Sequence, residues 1–391
     1  MEKQIAMGLL LAFLAFLSGF VLLNPLYTWD LVPYVATTLA VSVDDPVSLH
    51  QATYSLLESR LSEIEFNALI AGPYASDLYQ NASNFASQLD LYFVKPLYVG
   101  ALRILYLAGV NPVDAVMLMS LLPGLIICVL LFVWMKTMVN PLQAALLAIV
   151  IVLCTRLVDL SRVPVPDNFS SLFILLGLYS LLVRKWLSAA VILISLSVLV
   201  RTNNIIFALL LFSLLCWRSL RSPGQWHQHE LYYFGAGFVV SLLLYALTSI
   251  IFHQQWWLLF YHSLVEPQVN IAEFDFSFSL SLYLDVVVNA ARQLVAAGAF
   301  VATALPYFLL VLIISMSGRW QSTVAGMLRP REEFVLAHVA LLGLPVFLAF
   351  MLLFPLLANW DRFFTPFYVL IALSALTQSS SQAIRKGNGS A

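Results

Sequence analysis

At 391 residues, 61% of them hydrophobic and only 10% charged, with a mean hydropathy of +0.91, the chain has too little polar surface to cover its apolar mass in water. A formal net charge of −1 gives no footing to a nucleic-acid partner. The three cysteines, Cys128, Cys154 and Cys216, all fall in apolar runs, so neither a disulfide framework nor a thiolate metal site is readable. What remains is an all-α integral membrane protein, a polytopic bundle.

Taken in chain order, the first apolar run, about 5–23, is long enough to cross about 30 Å of hydrocarbon as a helix. Asn24-Pro25-Leu26 after it offers no small-residue cleavage site, so an uncleaved anchor is expected. A long polar stretch, 24–112, follows and begins with Tyr27-Thr28-Trp29-Asp30. Within it, Asp45-Pro46 predicts a capped helix running to about Leu69, with Leu56, Leu57, Leu61 and Ile64 as its apolar face. Gly72-Pro73 precedes a second short helix over about 75–89. The segment 96–111 is apolar but short and carries Arg103 in its middle. Further runs near 114–135, 142–158, 169–183, 187–200, 203–217, 231–252, 293–315, 334–357 and 363–377 each predict a crossing, about ten transmembrane helices with the anchor. A second polar loop spans 253–292. No repeat, low-complexity tract or soluble domain interrupts 1–391, which reads as a single domain.

The segment 96–111 decides which way everything after it faces. If it stays on the outer surface, Lys136, Arg184, Lys185, Arg218, Arg221, Arg319, Arg329, Arg331, Arg385 and Lys386 face inward, against Arg156, Arg162, Arg201, Arg292 and Arg362 facing outward. Basic residues gather on the cytoplasmic side of short loops, so this arrangement is preferred and 96–111 is expected to be an amphipathic surface helix. Both termini are then cytoplasmic. The region 24–112, the turn 159–168, the loop 253–292 and the turn 358–362 share the opposite, extracytoplasmic face.

Three short motifs in order carry a resemblance. Trp29-Asp30 with Tyr34-Val35-Ala36, then Lys95-Pro96-Leu97-Tyr98, then Val165-Pro166-Asp167-Asn168-Phe169 resemble the GT-C class of polyprenyl-phosphate-dependent glycosyltransferases. The likeness is to the branch of the protein O-mannosyltransferases and the lipid A aminoarabinose transferases, and it covers roughly residues 1–220. The chain departs from the pattern at Leu31, where members commonly carry a second acid. The resemblance implies an inverting transferase in a cell membrane, expected to be a bacterial inner membrane. Its donor would be a polyprenyl-phosphate-linked sugar and its acceptor a glycan, a lipid or a protein, in contact with membrane lipids, with no cofactor.

On that reading Asp30 is the general base, Lys95 and Asp167 complete the catalytic set, and Lys95, Arg201 and Arg362 hold the donor phosphate. Tyr34, Tyr98, Trp257 and His262 are expected against substrate. Each residue also has an ordinary reading: Asp30 as an interfacial acid at a helix exit, Lys95 as a snorkelling lysine, Asp167 as a helix N-cap. Arg201 could pair with Asp167 or Asp159, Arg362 with Asp361, and the aromatics of 253–292 could form an interface belt. His253, His262 and Glu266 have no zinc spacing, so no metal is expected. Two other functions share the same features: a transporter or flippase of lipid-linked glycans, and a non-catalytic subunit of a glycan-assembly complex.

Overall fold

A computed structural model describes residues 1–221, 225–274, 277–296, 335–356 and 360–388, together with 305, 306 and 309. Among these residues every regular element is helical. Among the described residues five helices are long and apolar enough to cross a bilayer: Glu2–Leu23, Pro112–Met135, Asn204–Arg221, His229–Ile251 and Leu336–Leu353. The chain is an all-α, multi-pass membrane protein by that measure.

The first helix, α1 (Glu2–Leu23), buries Ala6, Leu10, Leu17 and Val21 along one stripe. It is followed by a compact cap of seven short helices: α2 (Leu31–Leu39), α3 (Pro46–Arg60), α4 (Glu63–Leu69), α5 (Pro73–Gln80), α6 (Ala82–Gln88), α7 (Asp90–Phe93) and α8 (Pro96–Leu107). The cap has its own core, built from Leu31, Tyr34, Leu57, Leu78, Phe85, Tyr98 and Leu102. The bundle then runs through α9 (Pro112–Met135), α10 (Pro141–Cys154), α11 (Leu157–Arg162), α12 (Asp167–Tyr179, extended by a π turn Ser180–Arg184), α13 (Leu187–Val200), α14 (Asn204–Arg221) and α15 (Gln225–Ile251). After α15 come α16 (Trp256–Leu264), α17 (Leu280–Ala296), α18 (Val335–Leu341), α19 (Gly343–Leu353) and α20 (Trp360–Asn388). The stripe of α1 lies on α9 and α10, α12 lies on α9 and α13, and α13 and α14 both pack on α15.

Three expectations change. The helix expected from Asp45 to Leu69 breaks at Leu61–Ser62. The Asp45 carboxylate caps α3 by accepting from Ser48 N–H at 2.7 Å, but Ser62 and Glu65 form a reciprocal capping box that starts α4, with Ser62 N–H donating to Glu65 Oε2 at 2.9 Å. Ile64 consequently points out, 83% exposed, while Leu57 and Leu61 are buried. Likewise the helix over 75–89 is two, because Asn81 Oδ1 accepts from Ser83 and Asn84 N–H and restarts the chain as α6. Finally, α17 takes up the last third of the loop 253–292 as helix, while the run 293–315 lies, beyond Ala296, largely outside the described residues, as do Arg319, Arg329 and Arg331.

At twelve residues, α8 is about 18 Å long, well short of the roughly 30 Å of a hydrocarbon core. Arg103 in its middle is satisfied within the protein, since Nε donates to Thr37 O at 3.0 Å and the guanidinium lies over the Phe93 ring.

One buried polar knot sets the start of α12. Asn168 Nδ2 donates to Ser120 O at 3.0 Å, Leu157 O at 3.3 Å and Ser161 Oγ at 2.9 Å, tying α12 to α9 and α11. Gly124 makes the approach feasible, because a Cβ there would stand 3.0 Å from Asn168 Nδ2 and closer still to Ser161 Oγ. The neighbouring Asp167 is thereby held in one place.

Candidate functional site

Asp30 sits at the start of α2 without capping it, which leaves its carboxylate turned away from the helix end and 32% exposed. Tyr92 O–H donates to Asp30 Oδ1 at 3.3 Å. A carboxylate can accept about four hydrogen bonds, so most of its capacity remains open.

Lys95 stands at the start of α8, where the Pro96 ring begins the helix. Its ammonium donates to Tyr34 Oη at 2.7 Å and lies over the rings of Tyr34 and Tyr92, 5.0 and 4.7 Å from their centroids. Burial pushes the Lys95 amine down to about 8, with the Asp30 carboxylate acting in the other direction. Burial and the nearby Asp30 charge hold the Tyr34 and Tyr92 hydroxyls far above their ordinary range, so both remain protonated and act as dipoles, not counter-ions.

Asp167 is the first residue of α12 and is 2% exposed. It makes no cap bond. Its two oxygens are taken instead by Arg201, at the end of α13, and by Arg362 Nη2 at 2.9 Å, near the start of α20. Arg201 also stacks on Phe363, 4.3 Å from the ring centroid. The cap reading for Asp167 is therefore incorrect: the tie between α9 and α12 already fixes the turn, and two guanidiniums outcompete a backbone N–H for the carboxylate. Asp159 pairs with Arg156 at 2.9 Å, which leaves Asp167 as the partner of Arg201. Arg362 Nη2 also lies 4.0 Å from Asp30 Oδ2, so one guanidinium stands between the two acids.

Asp30, Tyr34, Lys95, Arg201 and Arg362 line one cavity of about 300 Å³. Its polar end holds Asp30, Tyr34, Lys95, Arg201, Asn203, Gln254 and Arg362; its other wall is Ile205, Ile206, Tyr245, Phe350, Leu353, Phe354 and Leu356. Leu91, Val94, Pro166, Trp256 and Leu259 also line it, so residues from 24–112, 159–168, 253–292 and α20 meet at the same hollow. Asp167 stands behind the arginines, in a small crevice beside Ser170 and Ser171. Three cations face two carboxylates, so the fully ionised site carries one excess positive charge and suits an anionic head with an apolar tail.

Three expected contacts are not on this wall. Tyr98 is fully buried behind Tyr34, edge to face at 4.9 Å, and acts by holding that ring. Trp257 points into the α16–α17 packing, its indole N–H donating to Ser277 O at 3.0 Å; the cavity is lined by its neighbour Trp256. His262 is held under the following loop, where Nδ1 accepts from Gln268 N–H at 3.0 Å. Consecutive helical residues diverge by about 100°, and α16 is aromatic or aliphatic around most of its circumference, so periodicity could not choose between the two tryptophans. Tyr92, Asn203, Gln254 and Phe363 were not foreseen. Tyr92 lies three residues before Lys95 and the two amides lie at helix ends, but nothing local distinguishes them from other polar residues. Among the described residues no group of three or more His, Cys, Asp or Glu could hold a metal ion.

Compared with known proteins, the chain matches no protein-family model, no curated protein and no solved structure.

Proposed function

We propose that this chain is a membrane glycosyltransferase of the GT-C kind, with about ten spans, both termini cytoplasmic and the cavity opening on the extracytoplasmic side of a bacterial inner membrane. The donor is a sugar on a polyprenyl phosphate; the acceptor is a hydroxyl or amine on a glycan, lipid or protein. In the reaction the acceptor oxygen or nitrogen attacks the anomeric carbon as the bond from that carbon to the phosphate oxygen breaks on the opposite face, inverting the centre. The acceptor's proton passes to Asp30. The departing prenyl phosphate keeps the electron pair and is stabilised by Lys95, Arg201 and Arg362.

The observation that carries this reading is that Asp30 and the three cations share the polar end of one cavity whose opposite wall is mostly apolar. A positioned base contributes about 10²–10⁴-fold, and cations in a partly desolvated site stabilise a leaving phosphate more than they would in water. Asp167 is a positioning residue: it fixes both guanidiniums from behind and keeps the site's charge excess small enough for product to leave.

The test uses the protein in nanodiscs with synthetic farnesyl-phosphate sugars, measuring release of farnesyl phosphate. Asp30→Asn should abolish release while membrane insertion and farnesyl phosphate binding persist; release at the wild-type rate in that variant removes the mechanism. Movement of a lipid-linked glycan across vesicle membranes without sugar release would favour the transporter. Donor binding without turnover under all acceptors would favour the non-catalytic subunit.

A further inference from the structure

Two amide side chains on the cavity wall have a side-chain carbonyl oxygen that is shut from solvent and accepts no hydrogen bond: Asn203 Oδ1 and Gln254 Oε1. Buried acceptors are paired in the great majority of cases, so two such oxygens around one hollow call for an explanation.

Both amides stand on stiff turns. Asn203 lies between α13 and α14, where Arg201 N–H donates to Ser197 O and Asn204 N–H to Arg201 O, each at 3.0 Å. Asn204 Nδ2 pins the same turn to Ser170 Oγ at 2.7 Å and Ser197 O at 2.8 Å. Gln254 follows His253, whose φ of 47° is in the left-handed region that a glycine usually fills, and Gln254 N–H closes the end of α15 on Ser249 O at 2.9 Å. A histidine kept in that conformation fixes the direction in which Gln254 enters the site. Gln254 makes only a long side-chain bond, Nε2 to Thr202 Oγ1 at 3.4 Å, which also links the two turns.

Beside them Trp256 lines the cavity with its indole plane set by Nε1–H donating to Leu353 O at 2.7 Å. A pyranose ring has hydroxyls on its edge and C–H groups on its faces. Two acceptors on separate rigid turns and a pinned indole match that chemistry. Neither amide gives up a strong protein bond when it rotates its oxygen toward a ligand O–H.

We propose that Asn203, Gln254 and Trp256 form a sugar-reading subsite, in which each amide accepts a hydrogen bond from a different ring hydroxyl and the indole stacks on a C–H face of the ring. This inference rests on the donor being a lipid-phosphate sugar, and adds which residues select the sugar.

Binding of farnesyl phosphate, of farnesyl-phosphate hexoses and of their single-deoxy analogues is measured by calorimetry with protein in nanodiscs. The wild type should bind the sugar-bearing compound more tightly than farnesyl phosphate. Asn203→Ala and Gln254→Ala should each weaken the sugar-bearing compound about tenfold while leaving farnesyl phosphate unchanged, and each should stop discriminating against one deoxy position, a different one for each. Unchanged farnesyl phosphate affinity reports intact folding. Should an alanine variant not fold, Asn203→Asp and Gln254→Glu, which keep the acceptor oxygen, should retain the wild-type ratio between sugar and deoxy sugar. An equal loss for farnesyl phosphate and for its sugar conjugates, or no discriminated deoxy position in the wild type, overturns the subsite. A wild type that binds neither class of compound overturns the transferase reading itself.

Discussion

Removing the Asp167 carboxylate tests the cation clamp most directly. Asp167→Ala deletes a side chain that is 2% exposed and accepts from two guanidiniums, themselves 15% and 17% exposed. Each charge-assisted bond is worth about 1.5–3 kcal/mol, and the gain from no longer burying a carboxylate offsets part of the loss. What the variant leaves is two facing guanidiniums with no acid between them, the situation in which breaking a buried pair costs about 3–5 kcal/mol. In a chain this size that corresponds to a fall in Tm of roughly 4–6 °C. The assay is thermal unfolding in detergent with a tryptophan or thiol-reactive probe, run on Asp167→Ala, Arg362→Ala and the double variant. The double variant should be less destabilised than the sum of the singles by at least about 1 kcal/mol, because the second deletion removes a partner already orphaned. Strictly additive shifts, or a fall below about 2 °C for Asp167→Ala, would refute the claim that this carboxylate holds the arginines together.

Three further outcomes follow from the same geometry. Lys95 is charged below about 8 and neutral above it, so affinity for farnesyl phosphate should fall as pH rises through about 8, and Lys95→Met should weaken binding by about 1.5–3 kcal/mol at pH 7 and flatten that pH profile. Stability moves the opposite way: the unfolded lysine binds its proton up to about 10.4, so between these values the unfolded state holds more protons and stability rises with pH. At His262, Nδ1 must be unprotonated to accept from Gln268 N–H, and burial lowers the ring below its ordinary range; the unfolded state then binds more protons on acidification, and stability falls as pH drops below about 6.5. Proteolysis within 265–274 should therefore quicken from pH 7 to pH 5 in the wild type, and His262→Phe should be cut fast at both; equal pH dependence in the two proteins counts against it. Gly124→Ala should destabilise by about 1–3 kcal/mol because its Cβ runs into Ser161 and Asn168, with part recovered by adding Ser161→Ala; Gly8→Ala, which meets nothing within 4 Å, is the control that should be neutral in the same thermal scan.

Much of the architecture could be read from local pattern. The apolar runs announce the helices, Asp45-Pro46 announces the cap of α3, and the shortness of 96–111 announces a helix of only twelve residues. These features depend on residues a few positions apart, where chain geometry is known in advance. The capping box at Ser62 and Glu65 was legible in principle, since its S-x-x-E signal stands in the sequence; the longer apolar pattern masked it.

The wiring of the site is of another kind. Asp167 and Arg362 are 195 positions apart, and Gln88, which holds the carbonyls of Gln268 and Val269, is 180 positions from its nearer partner. No periodicity relates such residues. Which acid takes an arginine, which of two adjacent tryptophans reaches the hollow, and which amide is left unpaired depend on how distant helix ends cross. Hydrophobic patterning specifies that a helix is buried and on which stripe, and the partners of its few polar groups are set only when the stripes have packed.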